Sequence, residues 1–455
     1  MGCGGLKKLT FKGLPPEGVV DALGWIPADL RIDYPLERKD QWLPVLVDLG
    51  LADPTGADAG TGAADKDASL SVAPTETKLC ADAGTGAAER MNRAGFWLLE
   101  SVAHRRQGEN ALVSPYSIDS AFTLAWLGAQ GGTAEQIKQT LGLPDKPGEV
   151  MGRLDLALSG SRRAQVLTSN SIWLDQKREL LGDYEAAVRK DFRMGLFKSD
   201  FGDAAGTAGK VNALIDRKTK GMIKNALSPS AITSDTELLL VNTLYFKGKW
   251  AKPFEKDNTH KEDFTLSSDA KVKVDMMYDW RDARYAEHDG TKAILLPYEG
   301  GRFGFVAILP PKGVPAEALL KGLSDDGVAK WVAAMRTEDT KIWLPKLDFE
   351  FREGLVETLK AAGMEVPFTN DADFKRMTGR PLKISEVIHV TKLRMDEIET
   401  EAAAATVICS ECTASPFQPP PPKEFHADHP YVGVIYDTAT RLALFVGVVN
   451  DPSRR

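Results

Sequence analysis

The stretch ETEAAAATVICSECTASPFQPPPP, Glu399 to Pro422, constrains this chain more than any other. It opens on acids, four consecutive alanines and a threonine, and closes on small polar residues and a proline run. Alanine is the strongest helix former, so the first part reads locally as helix. The following TVIC is rich in β-branched residues and reads as strand. The prolines then forbid regular structure. A segment with helix, strand and loop character points to a chain with more than one state.

The flanks sharpen this. Upstream, LKISEVIHVTKLRMDE (Leu382 to Glu397) alternates apolar and polar residues and ends on two acids. Downstream, EFHADHPYVGVIYDTATRLALFVGVVNDP holds two apolar strands around a polar turn at Asp437 to Thr440. A long loop therefore links strands of one domain, and loops of that length are usually functional or disordered.

At 455 residues and 43% hydrophobic, the chain can bury a large core, and its length allows two or three domains. The net charge of −7, with both signs mixed, argues against nucleic acid as a partner. No apolar run reaches membrane-spanning length, so no membrane is expected. MGCGGLKKLTFKG lacks an apolar signal-peptide core, and Leu6 stands where myristoylation wants Ser or Thr. By sequence alone the chain reads as intracellular. Four cysteines, Cys3, Cys80, Cys409 and Cys412, supply no disulfide framework.

Enzyme motifs are missing. There is no G-x-S-x-G, no H-E-x-x-H, and GTAGK (Gly206 to Lys210) lacks the first glycine of a phosphate-cradling loop. The six histidines are His104, His260, His288, His389, His426 and His429, none at helical ligand spacing. His426 and His429 lie in HADHP before a strand, which favours a turn with a structural histidine over a metal pair. Cys409 and Cys412 form a C-x-x-C, but a proline run follows where a redox motif wants a helix. The chain is expected to be no enzyme, with no metal and no cofactor.

Several ordered blocks resemble the serpins, the loop-inserting protease inhibitors. NALVSPYSIDSAFTLAWLGAQGGTAEQIKQTLGL (Asn110 to Leu143) is similar to the family's amino-terminal helical region, and SNSIWLD (Ser169 to Asp175) to its central strand. VNALIDRKTKGMIKNAL (Val211 to Leu227) precedes LLLVNTLYFKGKWAKPF (Leu238 to Phe254), the most recognisable block. LLPYEGGRFGFVAILP, WLPKLDFE and LKAAGMEVPFTNDADF follow in family order. The resemblance covers about residues 89 to 452 and assigns residues 89–455 to a serpin domain. It implies an α+β fold with a large central, mainly antiparallel sheet, two further sheets, eight or nine helices and an exposed reactive-centre loop.

Residues 1–88 do not resemble the family. Residues 1–51 hold enough apolar side chains for a small packed unit. Residues 52–88 are rich in Ala, Gly, Asp and Thr, carry ADAGTGAA twice (Ala57 to Ala64, Ala81 to Ala88), and read as a flexible linker.

If Thr400 begins a strand, one face carries Thr400, Ala402, Ala404, Thr406, Ile408, Ser410 and Cys412. That face is small and uncharged and can enter a sheet interior. Glu401, Ala403, Ala405, Val407, Cys409 and Glu411 lie on the other, and no proline interrupts Thr400 to Ser415. The residues alone leave inserted strand and alanine-rich helix equally open; the resemblance favours insertion. It implies a suicide inhibitor: a protease attacks the loop, forms an acyl-enzyme, and the cut loop enters the sheet as a new strand.

The family's sites carry over residue by residue. Glu397 matches the glutamate that opens the hinge; Glu399 replaces the glycine usual two residues on, which can slow insertion. Thr400, Glu401, Ala402, Ala403, Ala404, Ala405 and Thr406 complete the hinge. Ser114, Ser117, Asn212 and His389 match the polar cluster under the sheet's opening point, and Trp250 the tryptophan under its upper end. The usual loop length counted from Glu397 gives cleavage at Thr413–Ala414. Counting back from Phe425 points to Pro416 or Phe417. Thr413 and Ala414 suit an elastase-like or subtilisin-like target; Phe417 suits a chymotrypsin-like one. A papain-like cysteine protease is a further target, the protein is expected to act as a monomer, and the resemblance allows an extracellular site of action. The alternative is a non-inhibitory serpin acting as a binding or chaperone-like protein.

Overall fold

The computed structural model describes residues 8–10, 31–35, 67–71, 79–159, 164–191, 195–233, 235–324, 327–397 and 420–454. Residues 1–83 with 156–162 form one compact unit and the remainder a second. In the first, β1 (Lys8–Thr10), β2 (Arg31–Pro35) and β3 (Asp67–Ser71) form a sheet in that order, β1 parallel and β3 antiparallel to β2.

This corrects the linker expected over residues 52–88. Strand β3 falls inside it, and helix α1 (Leu79–Arg105) takes its last ten residues. The second ADAGTGAA repeat leads directly into ERMNRAGFWLLE, whose Met91, Phe96, Leu98 and Leu99 are buried. Alanine propensity lets the helix run back through the repeat as far as buried Ala87 and Ala88 and beyond.

The main unit then alternates helices and strands. Strand β4 (Ala111–Val113) leads into α2 (Pro115–Gly128), started by a proline at its first position and capped by the Ser114 side chain, which accepts from Ser117 N. Helices α3 (Gly131–Leu141) and α4 (Pro147–Ser159) follow, then β5 (Ala164–Asp175), α5 (Gly182–Asp191), β6 (Gly195–Ser199) and α6 (Ala204–Lys218). Strands β7 (Leu238–Gly248), β8 (His260–Thr265), β9 (Lys271–His288), β10 (Thr291–Pro297) and β11 (Phe303–Leu309) come next. After α7 (Leu320–Ser324) and α8 (Gly327–Ala334) come β12 (Arg336–Pro345), β13 (Leu347–Gly354), α9 (Val356–Ala361), α10 (Lys375–Thr378) and β14 (Glu386–Met395). The chain closes with β15 (Lys423–His426), β16 (Tyr431–Asp437) and β17 (Ala443–Val449).

Two sheets organise this unit. One runs β13-β14-β7-β5-β6, with β14–β7 and β5–β6 parallel and the other two pairings antiparallel. The SNSIWLD block thus ends a strand beside the centre; β7 itself is central. The other sheet runs β15-β12-β9-β10-β11-β16-β17-β4, with β8 on β9. Here the two further sheets of the expected fold are continuous, because the 18-residue β9 pairs with β8 and β12 and, at its far end, with β10.

Strand β7 is buried on both faces. Leu239, Val241 and Tyr245 pack under Val211, Leu214 and Ile215 of α6. Leu240, Asn242, Leu244 and Phe246 alternate onto the other face, also buried. A strand covered on both sides reads as a continuous apolar run, as LLLVNTLYF does. No described helix is long and apolar enough to cross a membrane.

Candidate functional site

Strands β14 and β7 pair in parallel from Glu386↔Leu239 to Leu393↔Phe246. Their carboxyl ends lie together, and there the chain leaves β14 through Asp396 and Glu397. The indole Nε1 of Trp250, just past β7, donates to the Asp396 carbonyl at 2.8 Å. The Trp250 ring stacks on Tyr298 at 4.6 Å and 10° and meets Phe254 edge-on at 5.9 Å. Phe254 N donates to the Glu397 carbonyl at 2.9 Å.

Glu397 is buried, 4% exposed, and its carboxylate is held from two sides. Lys346 Nζ lies 2.6 Å away and Thr259 Oγ1 donates at 2.7 Å. Burial pushes its carboxyl up, but the hydrogen bonds from Lys346 and Thr259 outweigh this and hold the pKa below its usual value.

Further down the same strands lies a buried polar cluster. In register, His389 faces Asn242, and Asn242 faces Asn170. All three point to the same face, towards the start of α2. Ser114 N donates to His389 Nε2 at 3.1 Å, so Nε2 accepts and the ring proton sits on Nδ1. That proton is donated to Asn242 Oδ1. Ser117 Oγ donates to Asn170 Oδ1 at 2.7 Å, and Asn170 Nδ2 to Ser120 Oγ at 3.2 Å. Burial drives the His389 pKa down to about 3, which keeps the ring neutral. Asn242 Nδ2 has no hydrogen-bond partner, although its residue is fully buried.

The structure therefore brings together Ser114, Ser117 and His389. It places Trp250 apart from them, at the end of β7. It corrects Asn212: that residue is on α6, which covers the opposite face of the sheet, and its amide exchanges hydrogen bonds of 2.9 and 2.8 Å with Leu227. The asparagines of the cluster are Asn170 and Asn242, joined by Ser120. A signal for Asn242 exists in the sequence: it is the polar residue inside an apolar strand run.

The remaining hinge positions, Glu399, Thr400, Glu401, Ala402, Ala403, Ala404, Ala405 and Thr406, lie outside the described residues, as do Thr413, Ala414, Pro416, Phe417, Cys409 and Cys412. His426 faces Glu262 at 3.0 Å, while His429 contacts Asp428 and the Pro310 carbonyl. No group of three or more metal-ligating side chains occurs among the described residues.

The family model described as serpin, serine protease inhibitor, matches residues 89–452. The chain belongs to the serpin family. An uncharacterized serpin-like protein of Thermococcus kodakarensis is 36% identical over 75% of this serpin and 81% of its own length. Alpha-1-antiproteinase of Rattus norvegicus is 29% identical over 79% of this chain and 87% of its own. Among solved structures, a Manduca sexta serpin matches with a TM-score of 0.71 at 25% identity, covering 81% of this chain and 98% of that one. Mouse protein-Z dependent protease inhibitor matches at 0.74 and 24% identity, covering 83% and 100%. The expected serpin fold is thus present, with ten α-helices among the described residues.

Proposed function

We propose that this serpin is a suicide inhibitor of a serine protease, which it traps by loop cleavage and insertion between β14 and β7. The single observation that carries the reading is the parallel pairing of those two strands at the point where the chain leaves β14. A strand folding back from Glu397 runs antiparallel to β14, and hence antiparallel to β7 as well. Parallel pairing is slightly less stable per residue than antiparallel. Insertion replaces one parallel ladder by two antiparallel ones and is favourable once the loop is cut.

Residue alternation supports the same reading. If the chain turns at Glu397 and Ile398, position 406 comes opposite His389 and Asn242. Thr406 then shares their face, as do Thr400, Ala402 and Ala404 opposite Met395, Leu393 and Thr391. The Thr406 hydroxyl would meet the region of the unpaired Asn242 Nδ2. In the trapping step the protease serine Oγ bonds to the Thr413 carbonyl carbon. The Thr413–Ala414 peptide bond breaks, and the proton taken from the serine goes to the leaving Ala414 amine. The ester then rides with the inserting strand.

A second reading, a non-inhibitory binding or chaperone-like serpin, rests on Glu399, a charge in place of the permissive hinge glycine. Incubation with elastase-like, subtilisin-like, chymotrypsin-like and papain-like proteases, followed by a denaturing gel, separates the two. A band at the summed mass supports the inhibitor; cleavage with no such band overturns it.

A further inference from the structure

A cavity of about 580 Å³ opens between the end of β9, helix α8 and the starts of β12 and β15, away from the β14–β7 seam. Its floor follows from register. Arg336 of β12 lies opposite Tyr285 of β9, and Thr340 opposite Lys423 of β15. Opposite residues share a face, as do residues two apart. Tyr285, Glu287, Arg336, Glu338 and Lys423 therefore all point into one side of the sheet. Helix α8 also lines the cavity, through Lys330, Trp331 and Ala334, and Arg284 Nη2 ties it to β9 by donating to the Val332 carbonyl at 2.5 Å.

The lining has a definite chemistry. Tyr285 and Trp331 supply flat apolar surface, and the lining also includes the small residues Gly322, Gly327 and Ala334, with open space at the Gly322 Cβ position. Three cations (Lys330, Arg336, Lys423) stand against two acids (Glu287, Glu338), an excess of one positive charge. The Tyr285 hydroxyl donates to Glu287 at 2.7 Å, so that acid is already occupied. The side chains of Arg336 and Lys423 make no ion pair or hydrogen bond among the described residues. Volumes of roughly 300–1,000 Å³ with apolar walls and a few converging polar groups are those of small-molecule sites.

We propose that this cavity binds a small organic monoanion with a planar apolar body. The body lies between Tyr285 and Trp331, and a carboxylate-like group meets Arg336 and Lys423. Glu338 disfavours a second negative charge and so selects against phosphate-like dianions. A planar acceptor pair matches the guanidinium fork of Arg336.

The test is calorimetric titration of the whole protein at low ionic strength with pyrene-1-carboxylate, and in parallel with its neutral match pyrene-1-carboxamide. The carboxylate should bind one per chain and roughly tenfold tighter than the amide. Arg336→Ala and Lys423→Ala should each weaken it by roughly tenfold, and raised salt should weaken it further. Lys271→Ala, a cation outside the cavity, should leave it unaltered. Trp331→Phe should retain most of the affinity and Trp331→Ala lose it. Equal binding of carboxylate and amide overturns the proposal. So does unaltered binding by Arg336→Ala and Lys423→Ala proteins whose melting temperatures match the parent.

Discussion

Lys346 Nζ stands 2.6 Å from the carboxylate of Glu397, the last residue of the described stretch 327–397. Glu397 is 4% exposed and is also held by Thr259, whereas the Lys346 side chain is 36% exposed. Removing Lys346 would leave a buried acid with one donor fewer. Lys346→Ala should destabilise the native form by about 2 kcal/mol, below the range for fully buried pairs because the lysine is partly hydrated. The folded pKa of Glu397 is depressed, so its contribution is present above the ordinary value of 4.5 and fades as pH falls towards the folded value. Melting at fixed scan rate, at pH 7 and pH 4, should show the gap between wild type and Lys346→Ala closing in acid. A gap of the same size at both values would refute the pairing energetics.

His389 makes the native form sensitive to acid in a higher window. Its folded pKa of about 3 lies below the ordinary 6.5, so the unfolded chain binds the extra proton first. Stability is full above pH 6.5 and falls, by about 1.4 kcal/mol per pH unit, as pH drops towards 3. A proton on Nε2 would also face the Ser114 N–H, donor against donor. Denaturation midpoints between pH 7 and 4 should fall for the parent and much less for His389→Gln. Parallel curves would mean the ring does not control the acid response.

Cutting the chain once between Thr406 and Phe417 should raise the melting temperature greatly, because the freed strand can then pair on both sides. Thr400→Arg should remove this gain, since it forces a charge into a packed sheet face. That variant should be cleaved by the target protease without forming the stable complex. A cut protein that melts no higher than the intact one would sink insertion.

Glu399→Gly should lower the number of inhibitor molecules consumed per protease inactivated, because a glycine eases the hinge. Titrating one protease with both proteins reads this directly. An identical stoichiometry would show that the position tolerates a carboxylate.

Removal of residues 1–78 should leave the inhibitory reaction intact, whereas removal of residues 1–88 should lower the melting temperature. The second deletion strips the first ten residues of α1, among them Ala87 and Ala88, which are buried. Equal melting temperatures for the two would place the domain boundary at residue 89 after all.

The large apolar blocks and their order were legible in the sequence, because a strand buried on both faces cannot hide its composition. The polar cluster was legible only in part. VNAL at Val211 and VNTL at Val241 present the same pattern, and nothing in four residues says which asparagine faces His389. The flanks decide it: IDRKTK continues a half-polar helix, while LYF continues a buried strand. The partner role of Lys346 for Glu397 was not legible at all. It depends on β13 lying antiparallel to β14, a contact between residues far apart in the chain. The helix through the second ADAGTGAA is not legible in the composition of that octapeptide; its signal is the amphipathic run that follows it.

The parallel seam between β14 and β7 also fixes what kind of quantity selection can tune here. The proposed insertion would require that ladder to open first, whatever drives it afterwards. Substitutions along the seam, at Asn242, His389 or the residues packed under α6, would therefore act on a clock. On the proposed mechanism they would set how long the bait survives unsprung in storage and how fast it closes on a captured enzyme, with one barrier governing both. Lengthening the shelf life of this protein without blunting its speed would need stabilisation that vanishes once the loop is cut. Contacts made by the uncut loop end, such as those at Glu397, are the place to look for it.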